Sequence, residues 1–183
     1  MRNLIFTLLL TAATFQVLAQ APKPAAEPDP ALFEPIAAVV MHPRCLNCHQ
    51  IAAPAQTDAM NAHAQRVIRG ADGHGAPTLK CAACHQASNS ADGRVPGAPN
   101  WHLAPLSMNW QSLSKAQICE QIKDPKRNGN RTTPNRVVAH MMDDPLVLWA
   151  WEPGADRSKP VMSHAVFVKA LTAWADAGMP CPK

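Results

Sequence analysis

The sequence contains no tyrosine, only 5% aromatic residues and few runs of β-branched residues. Strands favour these residue types, so their scarcity argues against a β-rich fold. Proline occurs 18 times among 183 residues, which favours short helices joined by stiff, irregular loops. Because 47% of the residues are hydrophobic, the chain can still bury a core. We predict one mostly α domain with little or no sheet.

Several enzyme signatures are missing as well. The sequence shows no Ser-His-Asp set, no pair of catalytic carboxylates and no glycine-rich phosphate loop. It does contain 6 cysteines and 8 histidines, many of them close together in the first half of the chain. Cysteine and histidine are therefore the residue types that can indicate the chemistry of this chain.

The first residues have the pattern of a secretory signal peptide. Arg2 supplies the positive charge and Leu4–Leu10 the apolar centre, and a small-residue cleavage site follows. The stretch is too short and too interrupted by threonine for a membrane span. No cysteine follows the cleavage site, so the sequence does not predict a lipid anchor. We expect cleavage, export to the oxidising periplasm and no stable membrane insertion. The predicted divisions are the signal peptide at 1–19, a Pro/Ala-rich linker at 20–31 and one domain at 32–183.

Two C-x-x-C-H motifs stand in the first half of the chain, at 45–49 and 81–85. In this pattern the two thiols bind a haem covalently, and the adjacent histidine becomes the proximal ligand of its iron. A zinc ribbon places its C-x-x-C pairs closer together and needs no histidine after each, while a thioredoxin-like pair belongs in a βαβ unit that this chain lacks. We therefore predict two covalently bound haem c groups, attached through Cys45, Cys48 and His49 and through Cys81, Cys84 and His85.

Other histidines and methionines are candidates for the distal side of each iron. His63 lies between the motifs with enough chain to cross a haem edge, so we predict that it binds the second iron, with the first iron as an alternative. Met108 and His140 compete for the other iron, and a methionine there would raise the potential relative to a second histidine. His42 is too close in sequence to Cys45 to reach the far face of that haem easily.

The remaining order in the sequence is helical. We predict a short helix capped by Asp29 with Pro30 at its first position, whose apolar run Ile36–Met41 ends just ahead of the first motif. Three more helices are predicted to begin after Ser114, Thr133 and Ser163. Residues 86–110 show no periodicity. A structureless stretch of this length in a compact domain is usually functional, so we interpret it as a haem-wrapping loop, with a plain surface loop as the alternative.

Cys119 and Cys181 are the two cysteines outside the motifs. They form the only pair left in an oxidising compartment, and a bond between them would fasten the C-terminal helix to the rest of the domain. We predict this disulfide, with two buried free thiols as the alternative.

Several strings of the sequence together resemble one known family. They are the two motifs with His63 and Arg69-Gly70 between them, PGAPNWHLAP at 96–105, KDPKRNG at 123–129, AHM at 139–141 and a final AW…G…CP. This order, over about 42–182, resembles a family of small periplasmic dihaem cytochromes c, many of them catalogued as an isoquinoline 1-oxidoreductase subunit. A weaker likeness, which ends soon after His85, is to the small dihaem subunit of the periplasmic nitrate reductase.

The resemblance implies an electron-transfer subunit and not a catalyst. A molybdenum hydroxylase of the catalogued name needs a pterin-binding chain and iron-sulfur cysteines at a spacing such as C-x4-C-x2-C, and this sequence has no such spacing. If the name applies, the chain is the electron-accepting partner of the catalytic subunit.

Two groups of basic residues have more than one interpretation. Arg66 and Arg69 either pair with haem propionates or lie exposed. A second cluster either docks an acidic partner or simply faces solvent. That cluster consists of Lys123, Lys126, Arg127, Arg131 and Arg136. The formal net charge of +4 is offset by the propionates of two haems, so it gives no argument for binding nucleic acid.

The predicted function is electron transport. An electron carrier needs both axial positions of each iron filled, whereas a haem enzyme needs an open iron with an acid or base beside it. Two motifs so close in a small domain must hold their haems near each other, and the surplus of histidine and methionine allows both irons to be six-coordinate. We expect a carrier that moves single electrons between a dehydrogenase or quinol donor and a downstream acceptor, with a dehydrogenase or another cytochrome as its partner. The alternative is a haem enzyme with one open iron, peroxidase-like or acting on a small substrate.

Overall fold

The computed structural model describes residues 27–51, 54–154 and 157–183. The predicted signal peptide and most of the linker lie outside the described residues. The described part is mostly helical, as predicted from the sequence. Its α-helices are α1 (Glu34–Val40), α2 (Pro43–Leu46), α3 (Lys115–Lys123), α4 (Pro134–Asp143), α5 (Pro145–Leu148) and α6 (His164–Asp176). None of these helices is both long and apolar enough to cross a membrane.

Strands are confined, within the described residues, to two short antiparallel hairpins. In the first, β1 (Ala55–Gln56) pairs with β2 (Asn61–Ala62), and in the second, β3 (Gly75–Ala76) pairs with β4 (Leu79–Lys80). Gly75 has a φ of +91°, and a Cβ there would lie 2.6 Å from the carbonyl oxygen of Leu79, so the second hairpin requires glycine. Both hairpins lie between the two C-x-x-C-H motifs.

The helices begin where the sequence signals placed them. The side chains of Ser114, Thr133 and Ser163 each accept a hydrogen bond from the backbone N–H three residues further on. Asp29 caps a 3-10 turn that starts at Pro30, so regular structure already begins inside the segment predicted as linker. Proline at the first position of that turn has its φ preset and needs no hydrogen-bond partner for its nitrogen.

The hydrophobic core lies beneath α1, α3, α4 and α6. Helix α6 packs against α1 and α4 with Phe167, Leu171 and Trp174, which are almost completely buried. These residues recur at helical spacing and therefore lie on one face. Trp174 also contacts Phe33, with ring centroids 5.3 Å apart.

The structure contains the Cys119–Cys181 disulfide that the sequence analysis predicted. It joins α3 to the chain that follows α6, and the two Cα atoms are 5.7 Å apart. The indole N–H of Trp174 donates a hydrogen bond of 2.8 Å to the carbonyl of Pro180 in the same region. The end of the chain is thus held against the core by both a covalent and a polar contact.

Residues 145–151 are helical, a point on which the apolar pattern of this short segment gave no firm prediction. Asp144 caps α5, and a 3-10 turn continues from Trp149 to Trp151. All three residues of that turn are buried. The segment therefore brings two tryptophans into the interior beside α4.

Candidate haem sites

The two C-x-x-C-H motifs have the same local backbone geometry. In the first, the N–H groups of Cys48 and His49 both donate to the carbonyl of Cys45, at 3.1 and 3.0 Å. In the second, the N–H groups of Cys84 and His85 donate to Cys81 at 3.1 and 2.9 Å. One turn of helix therefore carries the thiols and the histidine in each motif.

The ring of His49 is fixed from two sides by the loop that follows the second motif. Its Nδ1 lies 2.8 Å from the carbonyl oxygen of Met108, and the ring stacks on Trp110 with centroids 3.6 Å apart. A carbonyl only accepts hydrogen bonds, so Nδ1 carries the proton and Nε2 keeps a free lone pair. Burial lowers the pKa of His49 to about 4, which keeps the ring neutral. A neutral imidazole with a free Nε2 is the form that ligates iron.

His85 has the same two kinds of partner. Its Nδ1 lies 2.7 Å from the carbonyl oxygen of Pro96, and its ring stacks on Trp101 with centroids 4.6 Å apart and planes 3° from parallel. Burial again lowers the pKa of the imidazole. Both motif histidines are thus prepared for ligation through Nε2.

All four of these partners come from residues 86–110, the stretch interpreted as a haem-wrapping loop. Trp101 belongs to the PGAPNWHLAP string noted in the sequence, but the sequence analysis missed Trp110 and the two carbonyl groups of Pro96 and Met108. A backbone carbonyl has no sequence signature, because every residue has one. The loop therefore positions both motif histidines.

A large cleft, here called the first cleft, opens beside the first motif. It holds about 1130 Å³ of empty space, its open mouth included, and its lining includes Cys45, Cys48 and His49 of the motif and His140 of α4. Much of its remaining wall is apolar, with Val39, Ile122, Val137, Trp149 and Phe167 among its residues.

Both candidates for the distal position of the first iron line this cleft. His140 points its Nδ1 at Asp144, 3.2 Å away, and burial lowers its pKa to about 4. Met108 offers its carbonyl to Nδ1 of His49, which places its backbone on the side of that ring opposite Nε2. His140 instead comes from a separate helix.

A smaller cleft, the second cleft, lies beside the second motif and holds about 560 Å³ of empty space. Cys81, Cys84 and His85 line it together with His63. The ring centroids of His63 and His85 are 6.0 Å apart. Two metal–nitrogen bonds of about 2 Å each, plus the distance from each nitrogen to its ring centre, add to roughly the same separation.

His63 also has an unexplained polar atom. Its Nδ1 is buried and has no hydrogen-bond partner. The residue follows β2 directly, and its backbone N–H donates to the carbonyl of Pro54 at 2.9 Å, so the first hairpin holds it in place. The structure thus places His63 beside the second motif, the motif with which the sequence analysis paired it.

The two clefts are neighbours. His102 lines both of them, the N–H of Leu103 donates to Gly73 near the second motif, and the N–H of Ala104 donates to Cys48 of the first. His42 is not at a distal position, because its Nδ1 caps α2 by accepting the N–H of Arg44.

The geometry fits haem better than the other uses of C-x-x-C. The thiols of Cys45 and Cys48 are not disulfide-bonded, and burial raises their pKa to about 12 and about 11, whereas a redox-active pair has lowered values. The two cysteine pairs line different clefts, and no group of three or more His, Cys, Asp or Glu converges on one point in the described chain. A haem iron needs only one or two side chains, since the porphyrin supplies its other ligands. No protein-family model, curated protein or solved structure matches the chain.

Proposed function

We propose that this chain is a periplasmic dihaem c-type cytochrome that carries single electrons. One observation carries the proposal: each C-x-x-C-H histidine donates Nδ1–H to a loop carbonyl, stacks on a tryptophan and lies beside a cleft. When bound, each haem supplies a one-electron iron couple whose potential depends on its ligands and surroundings. The protein's own part is to hold the ligands, shape the clefts and limit the access of water.

The residues divide into two ligand sets. Cys45 and Cys48 hold the first haem, with His49 proximal and His140 distal. His140 is favoured over Met108 because it comes from another helix and its Nδ1 is already engaged by Asp144. An imidazole with Nδ1 so engaged offers Nε2 to a metal.

The second haem is held by the other motif. Cys81 and Cys84 attach it, with His85 proximal and His63 distal. The 6.0 Å between the two ring centroids and the unpartnered Nδ1 of His63 support this assignment.

A carrier is supported over an enzyme by the lack of a spare carboxylate among the described residues of the two clefts. Among the described residues that line the two clefts, Asp144 is the one carboxylate, and it faces His140. A peroxidase-like site needs an acid or base beside an open iron. With a histidine available on each distal side, His140 and His63 would complete the ligands of both irons. Because His102 lines both clefts, electrons have a short distance to cross.

The proposed partner and compartment rest on features of the sequence. The resemblance to small periplasmic dihaem cytochromes c supports a role as the electron-accepting partner of a dehydrogenase or of another cytochrome. The signal-peptide pattern at 1–19 supports export, and covalent haem attachment takes place in that compartment.

The test is the holoprotein made with a haem-attachment system. Its mass should be that of the mature chain plus two haems, and its ferrous form should not bind carbon monoxide. His63→Ala and His140→Ala should each convert one low-spin haem to high spin in the absorption and EPR spectra, while the control His74→Ala should change neither. His74 is a suitable control because it lines neither cleft, is partly exposed and contacts Asp72, Asn100 and His102.

Three results would contradict the proposal. One haem per chain would remove the dihaem assignment. Ready binding of carbon monoxide with turnover of peroxide or a small substrate would replace the carrier by the enzyme alternative. If Met108→Ala and not His140→Ala produces the high-spin form, Met108 is the distal ligand of the first iron.

A further inference from the structure

The first cleft has a cationic wall. Arg44, Arg127 and Arg131 all line it, and Asp144 is the one carboxylate among its described residues. A cleft with a largely apolar wall and three guanidinium groups fits a flat apolar ligand that carries anionic groups at one edge.

Arg44 already has a partner within the chain. Its guanidinium forms an ion pair with Asp58, and its side chain is 1% exposed. It also lies 6.0 Å from the centre of the Trp149 ring. Arg44 therefore contributes charge to the cleft; Asp58 balances part of that charge, and the buried Nε of Arg44 has no hydrogen-bond partner.

Arg131 is held at the cleft by the loop between α3 and α4. Asn128, which is 3% exposed, donates to the carbonyls of Ile122 and Arg131 at 2.8 and 3.0 Å and accepts the N–H of Arg131 at 2.7 Å. Gly129 has a φ of +74° in this loop, a backbone conformation that favours glycine. The loop thereby holds the partly buried Arg131 in the wall of the cleft.

The guanidinium of Arg131 has donors to spare. Of its five N–H groups, the structure shows one donating to a protein acceptor, the carbonyl of Asn128. Burial lowers its pKa and the charge of Asp144 opposes this shift, but no carboxylate of the described residues lies within 4.0 Å of the guanidinium. A partly buried cation of this kind is stabilised by an anion.

We propose that Arg127 and Arg131 bind the propionate carboxylates of the haem attached at Cys45 and Cys48. This inference rests on the proposed function and goes beyond it by naming residues that recognise the cofactor's anionic edge. Both arginines belong to the basic cluster defined from the sequence, which was interpreted there as a docking site or a solvated face. Because Arg127 and Arg131 line the first cleft, we assign these two members to propionate binding, a third possibility beside docking and exposure to solvent.

Arg69 does not share this role in the structure. It donates to the carbonyls of Ala104 and Gln50, and it is absent from the walls of both clefts. Arg136, by contrast, is an exposed member of the same basic cluster, lines neither cleft and provides a matched control.

The experiment compares Arg127→Gln, Arg131→Gln and Arg136→Gln in the two-haem holoprotein. Loss of a positive charge beside the first haem should shift its reduction equilibrium toward the oxidised form, on the order of tenfold, or about 59 mV lower for one electron. The propionate bending band in the resonance Raman spectrum should move in the first two variants. Arg136→Gln should leave both readouts unchanged. Arg131→Lys keeps the charge but not the bidentate fork, so it should move the Raman band and largely preserve the potential.

The haem count of each sample separates this inference from the proposed function. Two haems per chain, with potentials and Raman bands of Arg127→Gln and Arg131→Gln equal to those of Arg136→Gln, would overturn the propionate contacts and leave the carrier intact. Absence of a haem at the first motif in the unmodified protein would overturn both. If Arg131→Gln does not fold, the exposed Arg127→Gln and the conservative Arg131→Lys still decide the outcome.

Discussion

The same five-residue motif occurs in two different surroundings. The first motif lies against the helical core, and its cleft shares Val39 and Phe167 with that core, each 1% exposed. The second motif lies among loops and hairpins, where Cys84 is exposed and Leu79 is 42% exposed. Local geometry is the same in both, so the difference lies in what surrounds each motif.

Because of this difference in surroundings, we expect the two sites to have different roles. A group that fills the first cleft supplies apolar contacts that the core would otherwise lack, and it therefore contributes to folding. A group in the second cleft adds little to the core but lies nearer to the surface, where a partner protein can approach. We expect the first site to be structural as well as redox-active and the second to be the point of electron exchange.

The largest expected effect comes from removing one attachment site at a time. Cys45→Ala with Cys48→Ala should prevent cooperative folding, because the largely apolar first cleft would stay unfilled beside the core. Cys81→Ala with Cys84→Ala should leave the helical core folded with one haem. Far-UV circular dichroism during thermal unfolding, with the mass of each variant, measures both. Equal midpoints for the two double variants would show that the sites do not differ in this way.

The second-largest expected effect is on stability and comes from removing the disulfide, which lies in the region of the first site. Cys119→Ala with Cys181→Ala should lower the free energy of unfolding by about 4 kcal/mol, since the bond closes a long loop in the unfolded chain. The absorption bands of the second haem should be unchanged below the unfolding transition. Denaturant unfolding of the holoprotein measures the loss of stability. A change in the bands of the second haem before the protein unfolds would contradict the expectation that this site is unaffected.

Local signals allowed much of the fold to be predicted. Ser114, Thr133 and Ser163 mark helix starts because a cap acts over only a few residues, and the structure confirms all three. The placement of His63 beside the second motif followed from its position between the motifs, since the chain must double back to complete the site.

Tertiary partners were beyond the reach of these signals. The carbonyls that orient His49 and His85 come from a loop with no periodicity, and its path is fixed by contacts with both motifs. The orientation of Arg131 likewise depends on how Asn128 folds the loop back on itself. A cluster of basic residues in a sequence does not show which members face inward.

The smallest expected effect compares two aspartates, one at each site. Asp58 pairs with the buried Arg44 beside the first motif and accepts the N–H of Ser158 at 3.3 Å, whereas Asp92, beyond the second motif, is exposed and lies 3.9 Å from Arg94. Asp58→Asn should lower the free energy of unfolding at neutral pH by about 2 kcal/mol, because it leaves a buried guanidinium without its counterion. Asp92→Asn should change it little, since exposed ion pairs contribute little.

The pH dependence of Asp58→Asn distinguishes a charge effect from a packing effect. Hydrogen bonds from Ser158, followed by the charge of Arg44, hold the pKa of Asp58 below its ordinary value of 3.8. The unfolded chain therefore binds more protons than the folded one in the window just below that value, and stability rises with pH there. The contribution of Asp58 is complete above about pH 4 and is lost as the pH falls through its folded pKa. The gap in stability between the unmodified protein and Asp58→Asn, measured by denaturant unfolding, should thus narrow on acidification. A gap that is constant from neutral pH down to pH 3 would show that Asp58 acts through packing and not through its charge.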